Sequence, residues 1–118
     1  MTLNKTGMKL IYNNIIPFKG FYAINLFGLC FVRKDVKETK RGHDIMVNHE
    51  SIHTQQMREL GYIFFYILYV LEWFVRLFIN GFDAYSHISF EREAYENQDN
   101  FDYIKTRKRY SWVKHLTK

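Results

Sequence analysis

The sequence predicts an α+β fold that is mainly helical, in a single domain covering residues 1–118. Short runs of β-forming residues fill residues 8–34, and longer helical stretches separated by glycines fill the rest. Of the 118 residues, 47% are apolar and 19% aromatic, so one packed core can form without disulfides. Cys30, the only cysteine, lies between Leu29 and Phe31 and is expected to be a buried apolar side chain.

The clearest predicted strands occupy residues 21–27 and, after Gly28, residues 29–33. Both are almost continuously apolar, which predicts burial on both faces of a sheet. The charged run at residues 33–41, closed by Gly42, is typical of a loop. A sheet region is therefore expected before the helices.

Four helices are predicted after this loop. Asp44 can cap the first helix and Gly61 can end it. The predicted helices are, in order, a first helix at residues 45–60, an apolar hairpin helix at residues 62–79, a third helix from within residues 83–89 towards residue 99, and a C-terminal basic helix at residues 102–116.

The apolar hairpin helix is interrupted only by Glu72 and Arg76, which are four residues apart and can pair on one face. Residues 61–79 approach the length of a membrane span, but both charges would be costly in lipid. A span would also put the first and third helices on opposite sides of the bilayer. We therefore expect a hairpin helix that is buried or faces a membrane, rather than a span.

The first helix contains the motif HExxH at residues 49–53. His49 and His53 are four residues apart and so lie on one helix face, which is the spacing that two ligands of one tetrahedral metal ion need. Glu50 then points beside the metal, where a carboxylate can act as general base towards water. The motif therefore predicts two metal ligands and a catalytic base.

A third protein ligand is expected because a hydrolytic zinc site usually has three, with a fourth position for water. Glu91 shares its predicted helix face with Ala94 and Tyr95 and would be drawn into the core, where a lone carboxylate is costly. Glu93 lies on a polar face that should be wet, and it is the alternative ligand. At about 1.5 Å of rise per residue, a packed hairpin brings Glu91 close to the height of His49.

Basic residues of the last fourteen positions contribute much of the net charge of +5. With Tyr110 and Trp112 between them, they could touch a membrane surface, but a terminal helix that covers the core with its aromatics explains the same pattern. No nucleic-acid partner is expected. The lack of an apolar N-terminal signal and the single cysteine predict a cytoplasmic protein, peripheral to the inner membrane if the apolar helix faces lipid.

Residues 49–56 together with residues 91–94 resemble the gluzincin zinc metallopeptidases, in particular their small single-domain bacterial versions. The resemblance covers roughly residues 20–100. It implies one zinc ion held by His49, His53 and Glu91, with Glu50 as base in the hydrolysis of a peptide or protein substrate.

The family often has an aspartate four residues after the third ligand, where it orients a metal-bound histidine. This chain has Tyr95 there, and its hydroxyl could accept from an imidazole N–H or stabilise an oxyanion, which makes it a second catalytic candidate. The resemblance also suggests that the strand at residues 21–27 pairs with an extended substrate, provided that it lies at a sheet edge.

Two other functions remain open, a zinc-binding protein without turnover and a membrane-associated helical interaction protein. In an interpretation without metal, the two motif histidines are hydrogen-bonded helix residues and Glu91 pairs with an arginine such as Arg58 or Arg92. The oligomeric state is not predicted. Three further histidines are expected at the surface or as helix caps, namely His43, His87 and His115. The two glutamines after the motif, Gln55 and Gln56, are expected to finish the helix or to support the site.

Overall fold

The computed structural model describes residues 2–3 and 7–116, and within them the fold is α+β and mainly helical. Four strands form one sheet in the order β1-β2-β4-β3, in which only the β2–β4 pair is parallel. The elements are β1 (Thr2–Leu3), β2 (Lys9–Asn13), β3 (Ala23–Leu26), β4 (Leu29–Arg33), α1 (Lys40–Leu60), α2 (Tyr62–Asn80), α3 (Ala84–His87), α4 (Ser89–Asn97) and α5 (Tyr103–Thr106), with short 3₁₀ turns at Gly81–Asp83 and Ser111–His115.

The predicted burial of the first strand on both faces is wrong, because β3 is an edge strand of the sheet. Ile24 on one face is 38% exposed, whereas Asn25 on the other face is buried. The inner face of the sheet packs a small core that includes Cys30 and Val32 against α1, and the expected burial of Cys30 is confirmed. Apolar composition could not separate an exposed edge from a buried strand, since both consist of β-formers.

Helix α1 begins earlier than the sequence predicted. Thr39 is its cap, and the Thr39 hydroxyl accepts from the backbone N–H of Gly42 at 3.0 Å. The predicted cap Asp44 is wrong; its carboxylate pairs with Lys40 one turn earlier, at 2.9 Å. Gly61 ends the helix as predicted, with a positive φ of 84° that favours glycine.

Helix α2 folds back against α1, so the expected hairpin is present. Phe65 lies in the main core with Met57 of α1. The predicted pair of Glu72 and Arg76 is confirmed at 3.6 Å, and both side chains turn towards the protein. Glu72 also accepts from the backbone N–H and the hydroxyl of Ser89, which fixes the start of α4.

The predicted third helix is broken in two. Ile88 is extended, with φ −63° and ψ 133°, and it separates α3 from α4. The break lets α4 start beside the Glu72 carboxylate instead of continuing the line of α3.

The C-terminal helix is also broken, and its basic residues are not all solvated. Arg107 is buried and leaves the helix to bond two carboxylates, those of Glu59 on α1 and Glu93 on α4. The prediction that Glu93 lies on a solvent-exposed helix face is therefore wrong, since its side chain is fully buried. Composition predicted a charged tail, but it could not predict that Arg107 would bond two carboxylates inside the protein.

The tail covers the core with one aromatic side chain, as predicted. The Trp112 ring lies 4.7 Å from the Phe90 ring, centroid to centroid. His115, expected at the surface, is buried instead, with Nδ1 3.3 Å from the Glu96 carboxylate. His43 contacts the Tyr12 hydroxyl.

Replacing Arg107 with Ala should lower the free energy of unfolding by about 3–5 kcal/mol, because it leaves two carboxylates without their cation. Urea unfolding of Arg107→Ala would measure the loss. Arg109→Ala is the matched control, since Arg109 is exposed, and it should change the free energy by less than about 0.5 kcal/mol. Equal effects of the two substitutions would show that the network does not hold the tail.

Candidate metal centre

The two motif imidazoles and the Glu91 carboxylate meet at one point between α1 and α4. His49 Nε2 and His53 Nε2 lie 3.2 Å apart, and Glu91 Oε1 lies 3.2 and 3.0 Å from them. All three side chains are nearly fully buried. The helix spacing of the motif provides two of the atoms, and the start of α4 provides the third.

The proton positions of His53 follow from its neighbour Gln56. The amide nitrogen of Gln56 donates to the Phe90 carbonyl at 3.0 Å and to Glu93 at 2.9 Å. Hydrogen bonds from Arg107 and Tyr103 help to keep Glu93 ionised and its pKa low, so both partners of that amide are acceptors. The Gln56 carbonyl oxygen must then face His53 Nδ1, at 2.8 Å, and Nδ1 donates to it. His53 Nε2 is left to face the other imidazole.

His49 has the same arrangement with another amide. Its Nδ1 lies 2.8 Å from the Gln98 carbonyl oxygen, so its Nε2 also points to the centre. Sequence reasoning gave the orienting role to Tyr95. The Tyr95 ring instead packs edge-on against His49, with centroids 4.7 Å apart, and its hydroxyl contacts Tyr85.

Two imidazole nitrogens and one carboxylate oxygen therefore face one another at 3.0–3.2 Å, an arrangement that a cation between them stabilises. Without a metal that cation is a proton. With ligand bonds of about 2.0–2.1 Å, two ligands of a tetrahedral zinc ion are about 3.3 Å apart. The donor set and its spacing fit such an ion.

A metal-binding group is also evident from the motif residues alone. His49, Glu50 and His53 offer ligand atoms that all lie within 4.8 Å of one another, so this group could hold a metal ion. Glu50 is the least buried of the three and its carboxylate lies 4.0 Å from His49 Nε2. That offset suits a base beside the ion better than a ligand, since Glu91 is closer to both imidazoles.

The charges at the centre shift the pKa values of its members. Burial would lower the pKa of His53, but the adjacent Glu91 carboxylate outweighs it and raises that pKa from 6.5 to about 9. Burial would raise the pKa of Glu91, but the two imidazoles hold it well below its usual range. Burial raises the pKa of Glu50, which keeps this carboxyl ready to take up a proton.

The second oxygen of Glu91 is held by a tyrosine that the sequence analysis missed. Tyr69 on α2 donates its hydroxyl to Glu91 Oε2 at 2.7 Å, and Tyr85 also bonds this carboxylate. The signal was present, because Tyr69 shares the 3–4 spacing of Phe65 and Glu72 on the inward face of α2. Because most of α2 is apolar, its average composition does not reveal the hydroxyls on its inward face.

Glu93 lies away from the centre, in the network with Arg107. Of the two arginines considered for Glu91, Arg92 contacts His87. The described hydrogen bonds of the Glu91 carboxylate go to His49, His53 and tyrosine hydroxyls. This geometry favours Glu91 over Glu93 as the third ligand.

A pocket of about 430 Å³ opens beside the centre. Glu50 and His53 lie on its floor, and most of its lining is apolar. The edge strand β3 forms one wall, and Asn25 ties it to α1 by donating to the Glu50 carbonyl at 2.9 Å and to the Thr54 hydroxyl at 2.8 Å. The edge strand therefore lies next to the Glu50 backbone, and the Asn25 carbonyl accepts from the Tyr66 hydroxyl at 3.2 Å.

A scan of protein-family models finds none that matches this chain. Searches of curated proteins and of solved structures find no match either. The resemblance to gluzincins thus depends on the motif residues alone, and the function has to be inferred from the geometry of the site.

Replacing Gln98 with Leu should weaken zinc binding by about 10- to 100-fold, because His49 loses the acceptor that fixes its ring. Competition with a zinc-sensitive dye would measure the dissociation constant. Gln55→Leu is the matched control, since Gln55 sits on the same helix as the motif without a described bond to the centre, and its affinity should be unchanged. Equal affinities for both variants would mean that Gln98 does not orient a ligand.

The pH dependence of stability should reverse when zinc binds. Without metal, the raised pKa of His53 gives stability that is complete below its unfolded pKa of 6.5 and is lost as pH rises through about 9. The lowered pKa of Glu91 gives stability that is complete above 4.5 and lost in stronger acid.

Zinc must displace the proton, so the zinc-induced rise in Tm should be larger at about pH 8 than at about pH 5.5. Thermal unfolding with chelator and with zinc at both pH values would test this. A rise in Tm that is the same at both pH values would contradict the assigned protonation.

Proposed function

We propose that this protein is a zinc-dependent metallopeptidase that hydrolyses peptide bonds, with one zinc ion held by His49, His53 and Glu91. The observation that supports this most is the convergence of three buried acceptor atoms beside an offset carboxylate at the floor of a pocket. Zinc in such a site acts as a Lewis acid that acidifies water and polarises a carbonyl. The remaining roles belong to side chains of the chain itself.

Glu50 is the general base of the proposal. It lies in the pocket beside the ligands, and burial raises its pKa above the ordinary value of a carboxyl group, which favours uptake of a proton. It takes the proton from the attacking water and passes it to the nitrogen of the leaving amine. The same carboxylate serves as base and then as acid, so no second proton carrier is needed.

Tyrosine hydroxyls are the candidates for stabilising the oxyanion. Tyr85 lines the pocket, and burial raises its pKa, so it stays protonated and can donate. Tyr95, the candidate from the sequence, bonds Tyr85 and packs on His49. In this proposal Tyr95 positions the Tyr85 hydroxyl and the His49 ring, and on substrate binding Tyr85 turns its one proton from the Glu91 carboxylate to the substrate oxyanion.

The substrate is an extended peptide with an apolar side chain near the cleaved bond. An extended chain can add to the edge of the sheet beside β3, which Asn25 holds next to Glu50. The pocket wall includes Phe18, Phe21 and Phe65, which suit an apolar side chain. A cytoplasmic location is part of the proposal, since the single cysteine is free and buried.

Glu50→Gln should keep zinc and lose peptidase activity by at least about 100-fold, because the amide cannot accept the proton from water. Mass spectrometry of a peptide library incubated with the zinc-loaded chain would detect new termini, and elemental analysis would give the zinc content. His53→Ala is the companion variant, and it should lose both the metal and the activity.

Full activity in Glu50→Gln would exclude the assigned base. A wild-type chain that binds zinc but cuts no peptide of the library would leave a zinc-binding protein in place of an enzyme. In that case chelation would still lower the melting temperature, because the ion ties α1 to α4.

A further inference from the structure

One side of α2 carries apolar side chains that are more than half exposed in the part of the chain that the structure describes. We call six of them, each 53–78% exposed, the outer face. They are Phe64, Val70, Phe74, Val75, Phe78 and Ile79. The only charged residues of α2, Glu72 and Arg76, are 14% and 13% exposed and turn to the opposite side. The outer face therefore carries no charge at all.

The width of the outer face is unusual for a contact between two helices. At 100° per residue its six members span roughly 180° of the helix circumference. A single partner helix covers a stripe of about 100°. A bilayer surface can cover the whole half of the helix, because lipid chains adapt to its shape.

The helical run Tyr62–Asn97, which contains α2, is long and apolar enough to cross a membrane by length and composition, and only 6% of its most apolar window is buried. A crossing is incompatible with the inward side of α2, however. Tyr69 bonds Glu91 and Glu72 bonds Ser89, so the middle of α2 is joined to the start of α4. Since Glu72 and Arg76 would also be costly in lipid, we take α2 to lie on a bilayer with its outer side and not to cross it.

A basic segment is joined to α2 on the side that carries Arg76. Arg76 donates to the Leu116 carbonyl at 2.6 Å and so brings the C-terminal segment against the later turns of α2. That segment exposes Val113 and Leu116, both above 40%. It also exposes the basic residues Lys105, Lys108, Arg109 and Lys114. An apolar helix face together with a basic segment joined to the same helix is the combination that binds anionic lipid.

We propose that the outer face of α2, with the basic C-terminal segment beside it, docks on the surface of an anionic lipid bilayer. Phe18 and Phe21, 83% and 63% exposed, line the pocket together with Tyr66 and Tyr69 of α2, so the pocket adjoins the docked helix. Substrates that reach the pocket in this position are peptides at the membrane surface. The docking does not depend on the metal, so it stands or fails separately from the proposed activity.

Cosedimentation of the full chain with vesicles tests the proposal. Vesicles of phosphatidylcholine with a quarter phosphatidylglycerol should bind the chain at least about tenfold more tightly than phosphatidylcholine alone, since each basic residue near the surface adds attraction. Phe74→Gln should weaken binding to the anionic vesicles about tenfold, and the double variant Phe74→Gln/Phe78→Gln further. Phe101→Gln is the matched control, because Phe101 is exposed to a similar degree, 45%, and packs by Arg41 at the start of α1.

Unchanged zinc content and melting temperature would show that the variants fold. Equal binding of Phe74→Gln and Phe101→Gln would overturn the proposal, as would failure of the wild type to bind anionic vesicles. A chain that binds no vesicle and forms a dimer that Phe74→Gln dissociates would assign the outer face to a second copy instead.

Discussion

The fold depends on burying one carboxylate, that of Glu91, between two imidazoles on a neighbouring helix. A lone buried carboxylate is costly, and here the cost is offset by His49, His53 and the Tyr69 hydroxyl. These contacts join α1, α2 and α4 at one point. A metal ion bound at that point would separate the facing side chains, so in our proposal the helices and the ion stabilise each other.

Polar side chains around this centre connect it to the rest of the protein. Gln56 joins His53 to Glu93, and Arg107 joins Glu93 to Glu59. The tail is thereby held to the same two helices that carry the ligands. Composition alone describes the C-terminal segment as solvated, but one of its arginines is an internal cation. The stability of the site and the position of the tail are therefore coupled.

The sequence was most informative where a short spacing has a direct geometric meaning. The HExxH motif set two imidazoles on one face, Gly61 ended the helix, and helical rise placed Glu91 near His49, as the structure has it. Partners distant in sequence were not predictable in this way. Gln98 and Tyr69 meet the centre only because Ile88 breaks the third helix and α2 packs with one particular face inward. A loop conformation and a helix rotation decide these contacts, and neither leaves a local signature.

Helix α2 explains why the apolar segment was difficult to interpret. Its inward face carries the hydroxyl and carboxylate that serve the site, and its outer face carries none. The mean hydropathy of this segment combines the two faces and is as high as that of a membrane span. Separating them requires the tertiary structure, in which one side of the helix contacts the candidate metal centre and the other side is exposed.

The central claim is that a metal ion joins His49 and His53 to Glu91. Elemental mass spectrometry of the purified chain after incubation with zinc, beside a Glu91→Ala variant, tests it most directly. We predict about one zinc per wild-type chain and a large loss in the variant. No zinc in the wild type, or full zinc in Glu91→Ala, would contradict the claim.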